Sequence, residues 1–127
     1  MNESLMFTIN IIPTSKKNSQ QILVNPKTHR PFIAPSSAYK AYRKAALMLI
    51  PKEARLNIEY PVNVKCTFYM PTRRRVDLTN LLEAADDVLV DAGVIADDNS
   101  GIVAAHDGSR VLYDKEHPRT EITITRL

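Results

Sequence analysis

The sequence predicts an α+β fold, with a mixed or antiparallel sheet packed against about two helices in a single small domain over residues 1–127. Two kinds of hydrophobic repeat support this prediction. Apolar and polar side chains alternate over Val62–Met70, which is the pattern of a strand with one buried face. Residues 78–91 instead place leucine, alanine and valine at helical spacing, which predicts an amphipathic helix. A chain of 127 residues, 44% of them hydrophobic, suits one core rather than two.

The first half of the chain is divided by prolines and by polar turn residues. Pro13 ends an alternating segment, and Asn25 followed by Pro26 marks a turn. Ser36 and the serine after it are suitable caps for a helix that Pro51 would stop. The predicted elements are a strand at 7–11, a basic loop at 13–18, a hairpin formed by 21–24 and 31–34, and a helix at 38–50.

The second half contains the clearest periodic segments. Pro71 closes the alternating strand, and Gly93 is placed to cap the end of the amphipathic helix. The last two predicted strands are joined by a polar segment that contains Asp107 and Gly108. The predicted elements are a strand at 62–70, a helix at 78–91 and strands at 102–105 and 121–125.

The composition excludes several classes of protein. Cys66 is the only cysteine, so the chain has no internal disulfide or cysteine-rich zinc site, and its place in the alternating strand predicts a buried thiol. No apolar run approaches the roughly 20 residues that span a bilayer. Met1–Phe7 lacks the basic start and long apolar stretch of a signal peptide. We therefore expect a cytoplasmic protein with no membrane partner.

The charges are distributed unevenly along the chain. Residues 1–75 hold 13 Lys and Arg against 3 Asp and Glu, whereas residues 76–127 hold 4 against 11. A protein that grips a polyanion with one surface and holds cations with another needs such asymmetry. Two solvated faces of opposite sign explain the same distribution equally well.

Carboxylates in the second half form the best candidate for chemistry. The polar side of the helix at 78–91 carries Asn80, Glu83 and Asp87 at intervals of three or four residues. Asp77 stands at the start of that helix, and Asp97-Asp98 lies in a turn just after its end. Mg²⁺ prefers carboxylate oxygens, waters and substrate phosphates as ligands. It would polarise a scissile phosphate and generate hydroxide from bound water, which is phosphodiester hydrolysis without a protein nucleophile.

Each of these residues also has a structural interpretation. Asp77 is a favoured helix N-cap, and turn chemistry readily explains one of the two adjacent aspartates at 97 and 98. Glu83 and Asp87 fit a solvated helix face. His106 is either a general base or a histidine with a structural or surface role.

The segment RRRVDLTNLLEAADD at 73–87, followed by Ala92-Gly93 and Asp97-Asp98, resembles the core of the RusA family of Holliday junction resolvases. The loop PTSKKN at 13–18 and the final EITIT segment are also similar, so the resemblance covers most of the chain, with its specific part at 70–99. The family is typically encoded by prophages and acts in DNA recombination and repair. Its members are homodimers that use Mg²⁺ to cut symmetrically related strands of a four-way junction.

The resemblance implies roles for individual residues. Asp77 and Asp98 would be catalytic, metal-binding carboxylates, with Asp97 beside them as a further metal ligand and Asn80 and Asp87 in support. The implied metal is Mg²⁺, with Mn²⁺ as the alternative, and the implied substrate is branched DNA. Basic residues near both motifs are the expected phosphate contacts: Lys16, Lys17, Arg73, Arg74 and Arg75.

Two residues depart from the family pattern. Thr79 stands where the family usually has a second aspartate, and Glu83 stands where it usually has a lysine important for catalysis. Glu83 lies one helical turn beyond Thr79 on the same face, so it would supply the lost carboxylate to a rearranged metal site. The alternatives are a catalytically inactive protein that binds DNA junctions on the same fold, and a scaffold protein with no nucleic-acid role.

The rearranged site predicts that Glu83→Gln abolishes cleavage of a four-way junction and leaves junction binding intact, because only a metal-binding carboxylate is removed. Cleavage assays and binding titrations on the same junction measure both effects. Full activity in the variant would refute a catalytic role for Glu83.

Overall fold

A computed structural model describes residues 4–17, 21–34 and 37–127 of the chain. Neither helix in these ranges has the length and apolar character that a bilayer crossing requires. The described strands are β1 (Ser4–Ile9), β2 (Gln21–Val24), β3 (Pro31–Ala34), β4 (Val62–Met70), β5 (Val103–Ala105), β6 (Arg110–Tyr113) and β7 (Arg119–Arg126). The helices are α1 (Ser37–Leu49), α2 (Leu78–Asp91) and a 3₁₀ turn at Lys52–Ala54.

Strand β4 is central to the larger sheet. Strand β7 pairs with it antiparallel along one side, and β1 pairs antiparallel with β7. Two short strands share the other side of β4, both parallel to it: β5 pairs with Val62 and Asn63, and β6 pairs with Thr67–Met70. The main sheet is therefore mixed, and with two helices it confirms the predicted α+β class.

The core lies between one face of this sheet and the helices. Every second residue of β4 is buried, from Val62 to Phe68, and the buried residues of β7 alternate in the same way. Helix α2 contributes its apolar stripe, in which Val88 and Leu89 are fully buried. Cys66 is fully buried as well, and burial raises the pKa of its thiol, which therefore stays protonated. This confirms the prediction of a core thiol.

Side-chain and glycine caps fix the ends of α2. Asp77 is the N-cap, and its Oδ1 accepts a hydrogen bond of 3.0 Å from the backbone N–H of Thr79. Gly93, with φ of +75°, adopts the left-handed conformation just beyond the helix end, as predicted. The Arg55 guanidinium donates to the carbonyl oxygens of Ala92 and Ile50, so it joins the carboxyl ends of both helices.

The structure contains every predicted helix and strand, together with one strand that the sequence did not predict. The structure confirms the helix at 78–91, the strand at 62–70 and the hairpin, whereas β1 lies two to three residues earlier than predicted. The polar segment at 106–120 was wrongly taken to lack a strand, because β6 is four residues long and depends on β4 for its pairing. The expected cap Ser36 and the loop residue Asn18 lie outside the described residues.

Candidate active site

Two clefts lie along helix α2, and they contain most, but not all, of the residues expected to act on DNA. We call the first the helix-start cleft; its polar lining includes Lys17, Arg74, Arg75, Asp77 and Asn80. We call the second the helix-end cleft; its charged lining consists of Lys16, Lys40, Arg43, Asp87, Asp91, Asp97 and Asp98.

The helix-start cleft surrounds one carboxylate with cations. Capping of α2 uses Oδ1 of Asp77, and Oδ2 accepts no hydrogen bond from the described residues. The structural and functional interpretations of Asp77 are therefore compatible. Lys17, Arg74 and Arg75 are exposed and line the same cleft. Because three cations face one carboxylate, this cleft attracts an anion such as a phosphate.

The helix-end cleft contains the Asp97-Asp98 turn. Both oxygens of Asp97 are used within the turn: Oδ1 accepts from the backbone N–H of Asp98 at 2.7 Å, and Oδ2 accepts from Asn99 Nδ2 at 3.1 Å. The first of these bonds is the main reason why the pKa of Asp97 lies below its usual range, with the Asn99 bond second. Turn chemistry thus accounts for Asp97. Asp98 contributes its backbone N–H to the turn, and its side chain stays exposed.

Two of the three cations in the helix-end cleft, Lys16 and Arg43, are paired with acids. Lys16 forms an ion pair with Asp87, and Arg43 Nε lies 2.7 Å from Oδ2 of Asp91. The Lys16 ammonium also lies 5.9 Å from the centre of the Tyr39 ring. Its charge is therefore partly compensated before any DNA binds.

The five predicted phosphate contacts do not share one cleft. Lys17, Arg74 and Arg75 lie in the helix-start cleft without an acidic partner within 4.0 Å among the described residues. Lys16 is paired in the other cleft, and the Arg73 guanidinium stacks over Tyr113 at 4.2 Å from the ring centre. The helix-start cleft therefore has the more positive lining, and phosphate contacts by all five residues remain a prediction.

The predicted metal ligands do not all line one cleft. Ten residues of helix separate Asp77 from Asp87, which corresponds to about 15 Å along the axis. Glu83 lies between them on the helix and is exposed. Burial is the main cause of the raised pKa of Tyr39, and the charges of Asp91 and then Glu83 also raise it. Among residues 4–17, 21–34 and 37–127, no group of three or more acidic, histidine or cysteine side chains is close enough to hold a metal ion. The roles of Asp77, Asp98 and Glu83 remain predictions.

A pair that sequence reasoning missed lies on the buried side of α2. The Asp86 side chain is 12% exposed, and its Oδ2 lies 2.8 Å from His106 Nε2. The other ring nitrogen, Nδ1, lies 2.8 Å from the carbonyl oxygen of Val64. Spacing was the available signal, because Asp86 falls at intervals of four and three from Leu82 and Leu89 on the apolar side.

The hydrogen bonds define how this pair holds a proton. A carbonyl oxygen only accepts, so Nδ1 carries a hydrogen, and one proton, bound to either Nε2 or Asp86, makes the second hydrogen bond. The hydrogen bond that the protonated ring donates to the Asp86 carboxylate is the main reason why the pKa of His106 is raised. Burial raises the pKa of Asp86, whose Oδ1 is buried and accepts no hydrogen bond from the described residues. His106 is therefore a half-buried link between α2 and β4.

Comparisons with known proteins point to one family of nucleases. A family model described as Endodeoxyribonuclease RusA matches residues 5–125. The crossover junction endodeoxyribonuclease RusA of Escherichia coli (strain K12) is 43% identical over 65 residues, which cover 50% of this chain and 53% of the relative. The protein of the same name from Aquifex aeolicus (strain VF5) is 37% identical over 59 residues, or 46% of each chain. The match thus spans about half the length of these curated relatives.

The Asp86–His106 pair predicts a pH dependence of stability. Because the pKa of His106 is higher in the folded chain, the pair stabilises the fold fully below the ordinary histidine pKa of about 6.5, and this stabilisation is lost as the pH rises through the higher folded value. Urea unfolding between about pH 6 and pH 9 should show a decreasing free energy of unfolding that His106→Gln makes flatter.

The exposed His117 provides the matched control, since His117→Gln removes a histidine without touching Asp86. An equal slope for the wild type and both variants would show that the pair does not take up a proton on folding.

Proposed function

This chain belongs to the RusA endodeoxyribonuclease family, and we propose that it is an endonuclease that hydrolyses phosphodiesters in branched DNA, with the four-way Holliday junction as its substrate. The name of the relatives, crossover junction endodeoxyribonuclease, states this activity for those proteins. The observation that carries the proposal here is the helix-start cleft, where Asp77 lies among cations without acidic partners within the described part of the chain.

In this proposal, Lys17, Arg74 and Arg75 bind backbone phosphates and set the position of the DNA. Phosphate contacts fix register and orientation but carry no sequence information, which suits an enzyme that recognises a branched shape. The start of α2 adds a partial positive charge at the same cleft. Asn80 lies beside Asp77 and would orient the bound phosphate or the carboxylate.

We propose Mg²⁺, with Mn²⁺ as the alternative, as the metal that Asp77 and Asp98 bind. The donors fit such a cation, because they are carboxylate oxygens, Asp77 keeps Oδ2 available and Asp98 is exposed. Mg²⁺ usually takes one or two carboxylates and completes its shell with waters and substrate phosphates, so a site need not hold three protein ligands in advance. When bound, the cation supplies polarisation of the phosphate and activation of water.

The remaining acids have supporting roles in the proposal. Asp97 fixes the turn that presents Asp98, through the two hydrogen bonds to its carboxylate, and each oxygen keeps a second lone pair with which it would bind the metal. Glu83 is exposed between the two clefts and is available to replace the carboxylate that Thr79 lacks. Asp87 holds Lys16.

We further propose that the chain acts as a homodimer in DNA recombination and repair. A four-way junction has matching symmetry, so two identical sites related by a two-fold axis suit symmetric cuts. The cytoplasmic location expected from the sequence stays a prediction.

A second candidate function is a protein that binds junctions without cutting them. The replacements at Thr79 and Glu83, and the separation of Asp77 from the Asp97-Asp98 turn, favour this alternative. It requires the basic helix-start cleft but no metal.

The proposed activity predicts cuts in a labelled synthetic four-way junction in Mg²⁺, with little cutting of linear duplexes that have the same arm sequences. Asp98→Asn should slow cleavage on the order of 100-fold or more, since losing a metal ligand costs at least as much as losing a residue that merely supports one. Asp107→Asn is the matched control, because Asp107 is exposed in the turn after β5 and lines neither cleft.

Tight junction binding without cuts in either Mg²⁺ or Mn²⁺ would support the non-cutting alternative. Failure to bind any DNA at low salt would contradict both candidates.

A further inference from the structure

Strands β2 and β3 form a two-stranded antiparallel sheet of their own, separate from the main sheet. Their register places Leu23 opposite Phe32 and Val24 opposite Pro31. Directly opposed residues of an antiparallel pair lie on the same face, so Leu23 and Phe32 form one cross-strand apolar pair. We call this two-stranded unit the β2–β3 hairpin.

The turn of this hairpin is held by its own hydrogen bonds. Oδ1 of Asn25 accepts from the backbone N–H groups of Lys27 at 2.9 Å and Thr28 at 3.3 Å. The backbone of Asn25 also bonds to His29 at 2.8 Å and to Arg30 at 3.0 Å. Lys27 and Arg30 therefore project from a preformed tip, which reduces the ordering cost of binding.

The apolar pair is exposed next to these cations. Leu23 is 41% exposed and Phe32 is 46% exposed, although both are large hydrophobic side chains. Residues 21–34 include Lys27 and Arg30 but no Asp or Glu. An exposed aromatic ring beside unopposed cations complements a polyanion that carries flat apolar surfaces, and nucleic acid with accessible base faces has both properties.

We propose that the β2–β3 hairpin binds DNA at the branch point, with Lys27 and Arg30 on backbone phosphates and Phe32 stacked on an accessible base. The proposal rests on the proposed function, because it specifies how branched DNA is distinguished from continuous duplex. Duplex offers the phosphates but keeps its bases stacked, whereas a branch point interrupts the stacking. The hairpin thus adds a contact for branched structure to the sequence-independent phosphate contacts of the helix-start cleft.

The chain has no tryptophan, so Phe32→Trp creates a single fluorescent reporter on the hairpin. The matched control is Met48→Trp, since Met48 is 80% exposed on α1 and belongs to neither cleft. Both variants would be titrated in Ca²⁺, in place of Mg²⁺ to limit cleavage. A synthetic four-way junction should quench the fluorescence of the Phe32→Trp variant more than the linear duplex does. The fluorescence of the Met48→Trp variant should change little with either DNA.

Affinity measurements test the same contact without a reporter. Phe32→Ala should weaken junction binding about tenfold, as expected for loss of one base stack, and affect duplex binding much less. Replacing Lys27 and Arg30 together by alanine should reduce the slope of log affinity against log salt by about 1 to 2. Met48→Ala should behave like the wild type.

The proposal would be overturned if Phe32→Ala bound the junction with wild-type affinity and the Phe32→Trp variant bound it normally without quenching of its fluorescence. The proposed function would still stand. Sedimentation that shows a dimer of the wild type but a monomer of Phe32→Ala would also overturn the proposal, since the apolar pair would then bind a second copy. A wild-type chain that neither binds nor cuts junctions would instead refute the proposed function, and the hairpin's role with it.

Discussion

The packing of α2 on β4 is the interaction on which the rest of the structure depends. The buried residues of β4 and the apolar stripe of α2 belong to one hydrophobic cluster, and His106 ties the two elements together through Val64 and Asp86. A helix fixed along its buried side has both ends fixed in space. Asp77 at its start and the Asp97-Asp98 turn beyond its end therefore line separate clefts.

This arrangement gives the two clefts different electrostatic properties. Lys16 and Arg43 near the end of α2 are neutralised by Asp87 and Asp91, so little net attraction remains there for a polyanion. Lys17, Arg74 and Arg75 in the helix-start cleft form no ion pair among the described residues, so their charge is available to an anionic ligand. DNA phosphates would consequently be attracted first to the Asp77 side, and Asp98 would be engaged once the DNA backbone also reaches the second cleft.

Sequence reasoning found the elements whose hydrophobic period is strong, and it failed where structure depends on distant partners. The helix at 78–91 and the strand at 62–70 were predicted to the residue, because burial of one face imposes their repeat. Strand β6 was missed since its pairing comes from β4. The Asp86–His106 pair joins residues 20 positions apart, so the sequence does not show that they are in contact. Spacing along the chain places the candidate acids on one helix and one turn, but it does not show that they line two different clefts.

The claim that Asp77 and Asp98 act on one phosphodiester despite their separation is tested most directly by a double-mutant cycle. Single-turnover cleavage of a four-way junction would be measured for the wild type, Asp77→Asn, Asp98→Asn and the double variant. Residues that act as a unit have non-additive effects, so the double variant should be no slower than the slower single variant. Losses that multiply in the double variant would contradict a shared site, as would wild-type cleavage by Asp77→Asn.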